Sequence, residues 1–330
     1  MRSFTLRRSA ALIVALLLSA CAASAATSSD DEMTLPTLEP AVLAEGEKVR
    51  VVATTSIIGD VVAQVGGEHI DLTVIMAPGQ DPHSYQPVAR DLARIEQAHV
   101  VFVNGLDLEE GLLAMVETVA QAAPLVPVSA GVEVIAGGDE EHAADEHEEH
   151  AAGDPHTWMD PHNVMIWAEN IATALAALDA AHAEDYRANA EAYQEELRAL
   201  DAYIREQVAL IPPERRKLVT NHEALAYFAR RYGFEVIGTV YLGASQLAEP
   251  SAGDIAQLVE TIRAEDVPAI FVETTVSDTL ARAIAREVGR EIGVYTLYTG
   301  SLGPPGSGAD TYIGMMRANI ETIVTALGTQ

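Results

Sequence analysis

Three histidines and one aspartate, His83, His156, His222 and Asp310, stand where apolar runs give way to turns or helix starts. They lie 73, 66 and 88 residues apart along the chain, too far for one local loop to gather them. Imidazole nitrogen and carboxylate oxygen are metal donors, and three imidazoles with one carboxylate make a four-coordinate set close to what zinc prefers. His83 lies in Asp81-Pro82-His83-Ser84-Tyr85-Gln86-Pro87, where two prolines stiffen the backbone and lower the entropy cost of holding one imidazole in place. His156 sits in the similar triplet Asp154-Pro155-His156, His222 just after Leu218 to Thr220, and Asp310 after Gly303-Pro304-Pro305-Gly306-Ser307-Gly308. Taken singly, each has an ordinary alternative. A histidine at a helix start serves as a cap or surface residue, Asp310 as a helix N-cap, and Glu223 and His162 are neighbours of similar chemistry. Asp81 and Asp154 either cap turns or orient the imidazoles from behind.

Bringing four such residues together demands a particular scaffold. Val49 to Ala53 reads as a buried strand, followed at helical spacing by Ile57, Ile58, Val61, Val62 and Val65. Leu72 to Met76 reads as a strand, Pro87 opens a helix through Leu92, Ile95 and Ala98, and Val100 to Val103 is the next strand. Later, Leu218-Val219 precedes a helix from His222 to Tyr232, Glu235 to Val240 is a strand, and Ile255 to Ile262 a helix. Ala269 to Val272 and Val294 to Leu297 are strands flanking the helix Leu280 to Val288, and Asp310 to Leu327 closes the chain as a helix. Such alternation implies two α/β halves with parallel sheets covered on both faces, whose ligands bind beyond the carboxyl ends of the strands. Between the halves, Ala183 to Leu210 lacks Pro and Gly and keeps the stripe Tyr186, Ala190, Tyr193, Leu197, Leu200, Ile204 until Pro212-Pro213 stops it. This is a stiff connector about 40 Å long at 1.5 Å per residue.

The first residues form a targeting segment. Arg2, Arg7 and Arg8 precede the apolar stretch Ala10 to Leu18, too short to span a bilayer. Leu18-Ser19-Ala20-Cys21 contains the chain's single cysteine and suits cleavage before Cys21 with lipid on its thiol; the alternative is an ordinary secretory signal cut near Ala-Ala-Ser-Ala-Ala. Residues 1–20 are thus expected as a signal peptide and 21–47 as a flexible tether. Residues 48–182 are expected as one lobe, 183–211 as the connecting helix and 212–330 as the second lobe. No cysteine remains for disulfides or thiolate sites. Twenty Lys+Arg against 49 Asp+Glu, a formal charge of −29, argues against nucleic acid, whose binding rests on cationic contacts, and favours cations. Residues 138–152 form an acidic, low-complexity loop whose His142, His147 and His150 either capture metal transiently or are simply solvated.

The segments "ATTSIIGDVV", "PGQDPHSYQP", "GDPHTWMDPHN", "VTNHEALAYFARRYG", "FVETTVSD" and "YTGSLGPPGSGADTYIGMM", in this order from about Val49 to the C-terminus, resemble the metal-binding solute-binding lipoproteins of ABC transporters, the zinc/manganese group. The resemblance implies two lobes, each a mainly parallel sheet flanked by helices, joined by one long rigid helix, with a metal site in the cleft between them. Its ligands fall on His83, His156, His222 and Asp310. In that family a glutamate at the third position accompanies manganese and a histidine accompanies zinc, so His222 shifts the expected cargo toward Zn2+, with Mn2+ the alternative. The partners implied are a membrane ABC permease and a lipid anchor on a monomeric, extracytoplasmic protein at the bacterial cell membrane. A surface adhesin shares that anchor but does not require the four residues. An enzyme would need an open coordination position and a general base. The chain contains no His-Glu-x-x-His and no Gly-x-Ser-x-Gly: His147-Glu148-Glu149-His150 is one residue short, and His222-Glu223 lacks the second histidine.

Overall fold

Short apolar β-branched runs that must be buried on both faces pair into two parallel sheets in the computed structural model, which describes residues 33–116, 123–136, 153–241 and 250–328. The first sheet comprises β1 (Val49–Ala53), β2 (Ile70–Val74), β3 (Val100–Val103) and β4 (Leu125–Pro127), in the order β2-β1-β3-β4. The second comprises β5 (Lys217–Thr220), β6 (Glu235–Thr239), β7 (Ala269–Glu273) and β8 (Gly293–Leu297), in the equivalent order β6-β5-β7-β8. All pairings are parallel, so within each sheet every strand delivers its carboxyl end to the same edge. The central strands β3 and β7 are buried along their whole length.

Nine helices are resolved among the described residues: α1 (Ser56–Gly66), α2 (Ala89–Gln97), α3 (Glu110–Val116), α4 (Pro161–Leu178), α5 (Ala183–Val208), α6 (Ala226–Tyr232), α7 (Ala252–Ala264), α8 (Thr279–Glu287) and α9 (Tyr312–Leu327). Helix α1 is capped by Thr55, whose side chain accepts from the N–H of Ile58, and it buries Ile57, Ile58, Val61, Val62 and Val65. Helix α5 buries the whole stripe from Tyr186 to Val208 and packs against α4, α1 and α9. The apolar stripe drives this packing more than intrinsic helix propensity does. No helix among the described residues is long and apolar enough to cross a membrane.

Several local expectations are corrected. The second strand is Ile70–Val74 rather than Leu72 to Met76, because pairing with β1 sets Val49 opposite Ile70 and Ala53 opposite Val74; Ile75 and Met76 still donate N–H to Ala53 and Thr54. Helix α2 begins at Ala89, since the Asp91 carboxylate accepts the N–H of Val88 and ends the non-helical approach there. Helix α6 begins at Ala226 rather than His222: the His222 carbonyl accepts from both the Thr220 hydroxyl and the Ala224 N–H, holding a turn ahead of the helix. Helix α9 begins at Tyr312 with Thr311 as its cap, leaving Asp310 outside it. Elements α3, β4 and α4 were not anticipated.

The C-terminal part of the expected tether also differs. Residues 33–47 lie along the body, with Leu35, Leu38, Ala41 and Leu43 packed on the core and the Ala41 N–H donating to the Leu178 carbonyl. The signal segment 1–20, Cys21, the first part of the tether and the loop 138–152 with His142, His147 and His150 lie outside the described residues.

Candidate metal centre

His222 stands two residues past the end of β5, at the carboxyl edge of its sheet, in the turn that delays α6. His83 sits on the loop between β2 and α2. Asp81 builds that loop, accepting the backbone N–H of His83 at 3.0 Å with one oxygen and the Ser84 hydroxyl at 2.8 Å with the other. His156 precedes a single 3₁₀ turn (Thr157–Met159) that leads into α4. Asp154 does two jobs there with one oxygen: Oδ1 accepts the His156 backbone N–H at 2.9 Å and its ring Nδ1 at 2.8 Å.

These three elements bring three imidazoles to one point. Nε2 of His156 lies 3.1 Å from Nε2 of His83 and 3.1 Å from Nε2 of His222. The rings meet at 51°, 84° and 67°, converging on their edges rather than stacking. Zinc holds imidazole nitrogen at about 2.0–2.1 Å, which puts neighbouring corners of a tetrahedron about 3.3 Å apart, close to the spacing seen. His156 and His222 are 1% and 2% exposed, while His83 forms the partly open side. Among the described residues this is the single group of three or more potential ligands whose donor atoms converge.

Burial shapes the protonation of the cluster. Desolvation, followed by the proximity of His156 and His222, drops the pKa of His83 to about 2, so this imidazole is neutral and carries a lone pair for a cation. His222 runs the other way: burial disfavours its charge, but contact with Glu273 outweighs that and raises its pKa. The Glu273 carboxylate touches Nδ1 of His222. Burial opposes its ionisation, and His222 more than compensates, holding its carboxyl below the ordinary value.

Glu273 was missed as a site residue although its segment "FVETTVSD" is conspicuous. The available signal was an acidic residue ending a strand of otherwise buried apolar residues, since a carboxylate there is costly without a partner. Asp310, by contrast, is not brought into the cluster. It is exposed, and its Oδ2 accepts the backbone N–H of Gly306 at 2.7 Å, closing its own glycine- and proline-rich loop. His162 is likewise elsewhere, with its Nδ1 against Arg231 at 2.7 Å.

The two halves are braced across the cluster. Trp158 Nε1 donates to the Thr299 carbonyl at 2.7 Å, and the Tyr312 hydroxyl donates to the Trp158 carbonyl at 2.7 Å. The Tyr227 hydroxyl donates to the Asp154 carbonyl at 2.9 Å. The Gly79 N–H donates to the Ser301 hydroxyl at 2.7 Å, and a Cβ on Gly300 would stand 3.4 Å from Pro82 and 3.9 Å from Glu273. The loops bearing His83 and His156 are therefore buttressed from the opposite half of the chain.

A family model described as zinc-uptake complex component A, periplasmic, matches residues 51–326. The manganese-binding lipoprotein MntA of Halalkalibacterium halodurans is 37% identical over 283 residues, covering 86% of this chain and 90% of that protein. The iron-binding protein YfeA of Yersinia pestis is 33% identical over 282 residues, covering 86% and 87%. Among solved structures, the periplasmic zinc-binding protein TroA of Treponema pallidum superposes with a TM-score of 0.76 at 32% identity, covering 86% of this chain and all of that one.

Proposed function

Because the chain belongs to the family of periplasmic zinc-uptake component A proteins, the metal-binding, substrate-binding subunits of ABC transporters, we propose that it captures Zn2+ outside the cytoplasm and delivers it to a membrane importer. Members of this family bind and hand over their cargo; they are not enzymes. The observation that carries the proposal is the convergence of three Nε2 atoms from His83, His156 and His222. In this reading each nitrogen donates its lone pair to the ion. Three imidazoles favour a borderline acceptor such as zinc over manganese, which prefers oxygen.

A second reading, Mn2+, is favoured by one observation: the relative at 37% identity is named a manganese-binding lipoprotein. Because zinc outbinds manganese at almost any such site, the two separate by the ion carried by protein isolated from its native host. Chelator competition on the metal-free soluble chain, titrated with each ion, should give tighter binding of Zn2+, and His83→Ala, His156→Ala and His222→Ala should each weaken it at least tenfold. Wild-type affinity in all three variants contradicts the assignment of the site, and manganese as the ion recovered with protein isolated from its host selects the second reading.

The rest of the proposal follows the chain. Residues 48–182 and 212–330 act as the lobes and 183–211 as the strut between them. Cys21 carries the lipid that keeps the monomeric protein near its permease, and His142, His147 and His150 collect metal for the buried site.

A further inference from the structure

Glu273 is the final residue of β7, the strand beside β5, and its Oε1 meets Nδ1 of His222. The two side chains are 5% and 1% exposed. A space of about 10 Å³ is lined by His222 together with Thr220, Asn221, Phe271, Glu273 and Thr299. That is about the room one water needs. The Asn221 amide borders it, and neither of its polar atoms has a hydrogen-bond partner. His222 and Glu273 are both buried, and Glu273 is placed to hold the Nδ1 of His222.

We propose that Glu273 is a positioning residue for the metal. Accepting the Nδ1–H of His222, it fixes the tautomer that leaves the lone pair on Nε2, the atom 3.1 Å from Nε2 of His156. It also makes that nitrogen a stronger donor and places a carboxylate directly behind the ligand set, where it complements the charge of a divalent cation. Asp154 holds Nδ1 of His156 in the same way at 2.8 Å, so two imidazoles are braced by carboxylates from opposite halves of the chain. Asp310 supplies no such charge to the cluster. This inference rests on the reading that His83, His156 and His222 hold the ion.

The test uses the mature chain with Zn2+ alone as the probe. Glu273→Gln, of nearly the same size, is expected to bind zinc about 10- to 100-fold more weakly, with the thermal midpoint of the metal-free protein little changed. Glu273→Asp should recover part of the loss. Wild-type affinity in Glu273→Gln, together with a loss in His222→Ala, removes the role of Glu273 alone. Wild-type affinity in His222→Ala as well removes the underlying site. If Glu273→Gln does not fold, long-range ¹H–¹⁵N spectra of the zinc-loaded wild-type protein decide: protonated Nδ1 on His222 is expected, and a metal-bound Nδ1 overturns the proposal.

Discussion

At the scale of single residues, buried polar groups account for what the cluster can do and what it costs. Asp154 spends one oxygen on both the backbone and the ring of His156, so Asp154→Asn should weaken zinc binding by about 10- to 100-fold, read by chelator competition. Glu109 shows the cost of burial without full satisfaction. Its Oε1 accepts from the Thr54 hydroxyl and the Asn104 N–H at 2.8 Å, while Oε2 has no partner. Asn104 in turn donates to the Pro155 carbonyl at 2.9 Å, beside His156. Burial pushes the Glu109 carboxyl up to about 7. A raised carboxyl contributes stability that is intact below its unfolded pKa of about 4.5 and lost as pH rises through 7. The full span is at most about 3 kcal/mol. Urea midpoints of wild type and Glu109→Gln at pH 5, 7 and 8.5 should converge at high pH or cross in favour of the variant. A gap independent of pH contradicts this account. The three histidines were legible because His222 directly follows an apolar strand and the other two sit in Asp-Pro-His triplets. Asp310 looked equivalent, but its loop gives its carboxylate a backbone N–H of its own, and no pattern in sequence reveals that a carboxylate is already satisfied.

At the scale of elements, what was legible was periodicity, and what was hidden was burial from several sides. The stripe of α5 stands out because one face is apolar and the other charged. Helix α4, with 18 residues, went unseen since it packs against both α5 and α1 and its apolar residues do not keep to one face. Its start was nonetheless written in Asp160-Pro161: the aspartate accepts the His162 N–H and proline occupies the first turn. The three-residue β4 is too short to show alternation. Packing predicts where damage is greatest. Trp167 in α4 is fully buried and donates to the Ser129 hydroxyl at 3.1 Å, so Trp167→Ala should cost about 3–5 kcal/mol in urea unfolding. Leu197→Ala in α5 should cost about 2–5 kcal/mol for the same reason. Losses under 1 kcal/mol at both would mean that these helices are not the packed centre described.

At the scale of the whole molecule, two parallel sheets of the same strand order present histidines from both halves of the chain to one point, and side chains from one half brace loops of the other. A ligand held between two halves stabilises both by mass action, about 4 kcal/mol at a free concentration 1,000-fold above Kd. Zinc should therefore raise the thermal midpoint, a chelator should reverse the rise, and His222→Ala should abolish it. Removing residues 138–152 should leave equilibrium affinity within about threefold, because the three converging nitrogens all come from outside that segment; loss of tight binding would place the loop in the site. The central claim is that one ion is held by three imidazoles drawn from both halves. Zinc K-edge X-ray absorption on the stoichiometrically loaded protein tests it most directly. The account predicts three imidazole nitrogens at about 2.0–2.1 Å, falling to two in His83→Ala. A shell with one imidazole or none, or one unchanged in that variant, contradicts it.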